Sequence, residues 1–166
     1  SHSITEFLQL FRMGVIQAGA LSLNGYDAAF SKNSLPETAA QLDGINEYFT
    51  AINYNFWMPD SAYRKVSGLL THAKQDLQVA DNFTTFNRYE FLKKYINHII
   101  QESASLVSIK ELETVSPGYY PLPFNATSIF NLSFFDEKYF SPGPVFTNKN
   151  EIIELGHLLF NDPILS

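Results

Sequence analysis

Four histidines, His2, His72, His98 and His157, and 17 acidic side chains are the residues of this chain whose types could bind a metal or move a proton. No two histidines stand at the HxxxH or HExxH spacing that sets both imidazoles on one helix face, so no metal signature is present. The chain has no cysteine, which excludes disulfides and thiolate zinc sites. Acid–base chemistry of the glycosidase kind needs two carboxylates whose surroundings push them apart, and no pair here is marked out by an apolar setting and a partner. Glu6, Glu37 and Glu90 each follow a capping residue by three positions, which assigns them to helix starts and removes them from a catalytic list. Ser61, Ser67 and Ser103 lack a nucleophile elbow. Asp27, in Gly25-Tyr26-Asp27, is the acidic residue to follow, with closure of the turn after the first helix as its structural role. No catalytic, cofactor-binding or metal-binding residue is therefore assigned. Three Asn-x-Ser/Thr triplets, at Asn82, Asn125 and Asn131, are short enough to arise by chance.

The elements that would position these side chains are helices. Ser3-Ile-Thr-Glu6 is a capping box, and Phe7, Leu8, Phe11, Val15, Ala18, Gly19 and Ser22 share one face, predicting a first helix over 4–23 that stops at Asn24-Gly25. Ser34-Leu-Pro-Glu37 repeats the box ahead of Leu42, Ile45, Phe49, Ile52 and Phe56, predicting a second helix over 35–54. Beyond Pro59, Tyr63, Val66, Leu70, Ala73 and Leu77 mark a third, interrupted by Gly68, which weakens a helix by up to about 1 kcal/mol relative to Ala. Asn87-Arg-Tyr-Glu90 caps a fourth over 88–111, with the most regular apolar face in the chain. Four amphipathic helices on modest connections pack most simply as an all-α, up-and-down bundle, here residues 1–115.

From Ser116 the composition changes. Pro117-Gly118, Pro121, Pro123 and Ser141-Pro142-Gly143-Pro144 break long elements, while Phe124, Ile129, Phe130, Phe134, Phe135, Tyr139 and Phe140 are too apolar for a solvated linker. Residues 116–147 are expected to form a connector packed along the bundle, with a short helix near 127–135. Residues 148–166 follow, where Ile152, Ile153, Leu155, Leu159 and Phe160 recur at helical spacing before the breaker Asn161-Asp162-Pro163. Periodicity alone predicts a terminal core helix there.

An aromatic content of 15% implies a bulky core or a contact surface. A net charge of -6, with 11 scattered Lys and Arg, argues against nucleic acid as a partner. No run approaches the roughly 18 apolar residues of a transmembrane helix, and Ser1-His2-Ser3 is not a signal peptide, so any targeting segment is expected to lie elsewhere.

The last 13 residues, ELGHLLFNDPILS, resemble the LGxxLFxDxxLS segment that opens the first haem domain of bacterial di-haem cytochrome c peroxidases and MauG-like proteins, shortly before CxxCH. Leu155, Gly156, Leu159, Phe160, Asp162, Leu165 and Ser166 match, and His157 stands where the family commonly has lysine. Gly25-Tyr26-Asp27 is similar to a GYD or GFD found after the first helix in long MauG-like proteins of the Bacteroidetes type. Asn87-Arg88-Tyr89-Glu90-Phe91-Leu92, then Tyr95-Ile96-Asn97-His98, resembles a later family pattern but departs where Pro would follow Asn97.

The resemblance implies a non-catalytic N-terminal helical domain of an exported oxidoreductase, periplasmic or otherwise extracytoplasmic, with residues 148–166 as the start of the peroxidase domain, cut before CxxCH. Two c-type haems are implied for the parent and none for this fragment, whose lack of cysteine forbids covalent attachment. His98 could then be an axial ligand, although a hydrogen-bonded helix histidine explains it as well. The implied partners are the di-haem domain of the same polypeptide and a protein electron donor or substrate. An autonomous extracytoplasmic binding bundle with no haem partner is the alternative.

Overall fold

The computed structural model describes residues 4–26, 33–56, 58–80, 82–106, 121–123, 126–135, 139 and 149–161. Among them the regular structure is helical, with no strand. Helix α1, Ile4–Ala20, buries Leu8, Phe11, Val15 and Ala18, which recur at three or four positions as one helix face requires. It ends in a 3₁₀ turn, Ser22–Asn24, where Gly25 takes the left-handed conformation (φ 73°) and Asn24 Nδ2 donates to the Ala20 carbonyl at 2.9 Å. The stop read at Asn24-Gly25 is thus where the chain turns. Ser3 and Asp27 lie outside the described residues, and with them the first capping box and the turn-closing role.

Helix α2 spans Ser34–Phe56 and α3 spans Asp60–Gln78, entered through Pro59. The second capping box is not made as read. Ser34 is already helical, the Glu37 amide bonds the Asn33 carbonyl at 3.0 Å, and Ser34 Oγ is buried without a hydrogen-bond partner. The helix starts one residue early because the backbone carbonyl of Asn33 meets the orphan amide first.

Helix α4 is continuous in three parts: an α-turn at Arg88–Phe91, a π-helical stretch at Leu92–Ile96, and α-helix again over Asn97–Ala104. Asn87 Oδ1 accepts from the Glu90 amide at 3.1 Å, so this cap forms. This helix ends at Ala104, with Ser105 and Leu106 in a turn; Ser103 Oγ and Ser105 Oγ turn back onto the carbonyls of Ile100 and Glu102 and compete with continuation of the ladder. Residues 107–111 lie outside the described residues.

Helix α1 packs on α2 and α4, and α3 packs on the same two, the cyclic neighbour pattern of an up-and-down four-helix bundle. Phe11 and Phe49 meet at a tilt across α1 and α2 (centroids 4.6 Å apart), and Phe49 stacks on Tyr63 of α3 at 5.6 Å. Helix α1 meets the π stretch closely at Gly19: a Cβ there would lie 2.9 Å from Leu92 Cδ2 and 3.1 Å from Ile96 Cγ1. A larger side chain there would have to displace Leu92 and Ile96.

The described part of the connector lies on the bundle, with Leu122, Ala126 and Phe134 buried. The helix expected over 127–135 is absent. Ser128 Oγ accepts from the Phe130 amide, and Asn131 Oδ1 accepts from the Ser133 amide and hydroxyl, which bends the segment into successive turns. Helix α5, Lys149–Phe160, forms where periodicity places it, but every side chain described on it is exposed, so it is not a core helix. No helix among the described residues is long and apolar enough to cross a membrane.

Candidate functional site

The most unusual side chain of the bundle is Arg12, wholly buried (0% exposed) on α1 between apolar neighbours. Its guanidinium donates to the carbonyl of Ala126 and, at 3.4 Å, to that of Pro123, while Gln9 Nε2 one turn earlier donates to the Leu122 carbonyl at 2.6 Å. Two long polar side chains on one face of α1 thereby grip three carbonyls of a segment more than 110 residues away. Burial pushes the Arg12 pKa down to about 10, which leaves it charged at neutral pH. A planar, multi-donor cation suits this work because carbonyls supply only acceptors. The grip holds the connector; it presents no nucleophile and no proton acceptor to solvent.

A second constellation sits where the π stretch faces α3. Tyr95 donates its hydroxyl to Asp76 Oδ2 at 2.5 Å, and Lys94 Nζ approaches the same oxygen at 3.0 Å. The hydroxyl bond, then the Lys94 ammonium, hold the Asp76 carboxyl below the usual carboxylate range, and burial followed by the Asp76 charge pushes the Tyr95 hydroxyl up. Both shifts move the groups away from neutrality, the opposite of what a general acid or base needs. The cluster fastens α4 to α3.

The sequence candidates are dispersed. His72, His98 and His157 are exposed on α3, α4 and α5, and His98 Nδ1 donates to the Lys94 carbonyl at 2.8 Å within its own helix. His157 accepts at its carbonyl from Asn161 Nδ2 at 2.8 Å. Ser61 and Ser67 lie on α3, and Ser103 is buried with its hydroxyl spent on Ile100. His2 and Asp27, like Asp162, Leu165 and Ser166 of the terminal motif, lie outside the described residues. No group of three His, Asp or Glu among the described residues could hold a metal ion. Haem c does not fit this chain, because no thiol exists for its thioether links.

A cleft of about 230 Å³ opens between α1 and α2, lined by Phe7, Tyr48, Ala51, Ile52, Asn55 and Phe56. It falls below the ~300 Å³ at which sites for drug-sized ligands begin.

Sequence reasoning missed Arg12, Gln9, Asp76 and Tyr95. A signal existed for the first two: polar residues three apart, flanking Leu8 and Phe11, widen the stripe of α1 beyond what one packed face needs. Helix α1 is covered on a second side because the connector lies there.

No known protein family, curated protein or solved structure matches the chain.

Proposed function

We propose that this chain is the non-catalytic helical N-terminal domain of an exported di-haem cytochrome c peroxidase or MauG-like oxidoreductase, whose haems belong to a following domain of the same polypeptide. Helix α5 carries the reading. At 100° per residue, Leu155, Leu159, Ile152, Gly156, Phe160 and Ile153 occupy an arc of about 160°, and all are exposed. Gly156 lies near the middle of that arc with nothing within 4 Å of where a Cβ would stand. An exposed mid-helix glycine costs about 1 kcal/mol against alanine. A surface that approaches the backbone closely is what makes such a glycine worth keeping, and four of these six residues, Leu155, Gly156, Leu159 and Phe160, match the opening of the peroxidase domain. Docking on the haem domain would bury the arc and leave the bundle to meet an electron donor or a protein substrate.

The test is to read the parent coding sequence through roughly forty codons past Ser166, since covalent haem attachment requires an encoded CxxCH. A CxxCH in that window is the expected result, followed by covalently bound haem in the purified parent. A cysteine-free continuation would overturn the proposal. The aromatic cleft beside Phe7 and Phe56 favours the second reading, an autonomous extracytoplasmic binding module, in that event.

A further inference from the structure

We propose that the cleft between α1 and α2 binds a small neutral aromatic molecule of one ring or two fused rings that carries an N–H or O–H donor. These two helices form the cleft between them, so the proposal is independent of what covers α5. Buried Ile52 is its floor, the half-buried rings of Phe7, Tyr48 and Phe56 are its walls, and Ala51 and Asn55 stand exposed at its rim. The Phe7 ring meets Phe56 at 5.5 Å and 52° and Tyr48 at 6.2 Å and 47°. Rings tilted in this way offer an incoming ring both faces and edges, the arrangements in which aromatic pairs attract beyond the area they bury.

Size sets one limit on the occupant. The cleft holds about 230 Å³, whereas about 150 Å³ lined by aliphatic and phenyl groups is enough for benzene. One ring or a fused pair therefore fits, and a drug-sized molecule does not. The space exists because Ala51 is short. Tyr48 and Asn55 lie one turn to either side of it on α2, and a longer side chain at 51 would fill the gap between them.

Polarity sets the other limit. None of the six lining residues is charged, so an ionised ligand would shed its hydration with nothing to replace it. Asn55 Nδ2 donates to the Ala51 carbonyl at 2.7 Å, and because a carbonyl only accepts, this bond orients the amide and leaves Oδ1 as the acceptor offered at the rim. The Tyr48 hydroxyl is directed to the Phe7 carbonyl at 3.5 Å, and burial pushes its pKa up, so it adds no charge at neutral pH. A ring seated against Phe7 and Phe56 with its donor toward Asn55 Oδ1 satisfies both limits.

The test is a titration of the 166-residue chain with indole, followed by heteronuclear NMR. The amides of Phe7, Ala51, Ile52 and Phe56 are expected to shift and saturate, with a dissociation constant on the order of 1 mM or tighter for a ligand of this size. Benzofuran, which keeps the shape but lacks the N–H, is expected to bind about threefold or more weakly, the factor set by one net hydrogen bond. Ala51→Leu is expected to weaken indole binding about tenfold or more by occupying the cleft. Ala40→Leu, at an exposed alanine about three turns earlier on α2, is expected to bind as wild type. Circular dichroism should show both variants folded, since both sites are exposed. Absence of saturable shifts up to about 5 mM indole overturns the proposal, as does equal binding of benzoate or of benzofuran. Binding undiminished in Ala51→Leu also overturns it, by placing the ligand elsewhere on the chain.

Discussion

Replacing Arg12 by methionine separates what the buried guanidinium does for the bundle from what it does for the connector. The substitution keeps a long unbranched chain but removes the donors to the Pro123 and Ala126 carbonyls. Hydrogen bonds from a charged group contribute about 1.5–3 kcal/mol each. Against that stands the burial that lowers the Arg12 pKa to about 10, a displacement worth about 3 kcal/mol that methionine escapes. Two such bonds set against that displacement leave a global loss of about 0–3 kcal/mol, below the ~3–5 kcal/mol expected when truncation to alanine adds a cavity. Opening of the connector alone feels the lost bonds in full. Hydrogen exchange followed by NMR should therefore show the Ala126, Ile129 and Phe134 amides exchanging about a hundredfold faster in Arg12→Met. Urea denaturation should show only the modest global change. Arg12→Lys should behave like the methionine variant at the connector, because the shorter side chain and compact ammonium do not reproduce the planar fork that reaches both carbonyls. Connector amides within about threefold of wild type, in a variant whose global stability has fallen, would refute the clamp.

Gly19→Ala should lower stability by about 1–2 kcal/mol, since crowding against Leu92 and Ile96 exceeds the propensity gained; the urea midpoint reads this directly. Gly68→Ala should do the reverse, adding about 0.5–1 kcal/mol, because nothing lies within 4 Å of its missing Cβ. Asp76 binds its proton less readily in the folded chain than in the unfolded one, so its contribution is complete above the ordinary carboxylate range and disappears as pH falls through the lowered value. The destabilisation caused by Asp76→Asn should thus be visible at pH 7 and shrink by pH 3; urea midpoints showing an unchanged gap would contradict the pairing with Tyr95 and Lys94. Leu155→Asp should leave the thermal midpoint of the 166-residue chain within experimental scatter, its side chain being exposed.

Much of the bundle is legible in the sequence, because apolar stripes at helical spacing and cap residues report backbone demands that act locally. The face of α3 and the Asn87 cap illustrate this, as does the stop at Asn24-Gly25. What was illegible depends on contacts made from a distance or on a local contest between equals. Ser128, Asn131 and Ser133 offer their side chains to nearby amides, and that competition defeats the helix that Ile129, Phe130 and Phe134 suggest. The π stretch carries no residue-type mark and becomes visible only where Gly19 of α1 meets Leu92 and Ile96. Arg12 reads as a solvated cation until the connector is laid over it. For α5 the periodic pattern identified the face, but a pattern does not say what covers it.

The dependence of α1 on a segment more than 110 residues downstream has a bearing on synthesis. A ribosome adding about 5–20 residues per second takes on the order of ten seconds between making Arg12 and making Ala126. Through that interval the four helices can assemble only with one flank of the first helix bare, its cation and amide facing solvent. Until its own later segment arrives, the nascent bundle lacks the carbonyls that satisfy Gln9 and Arg12 in the finished fold.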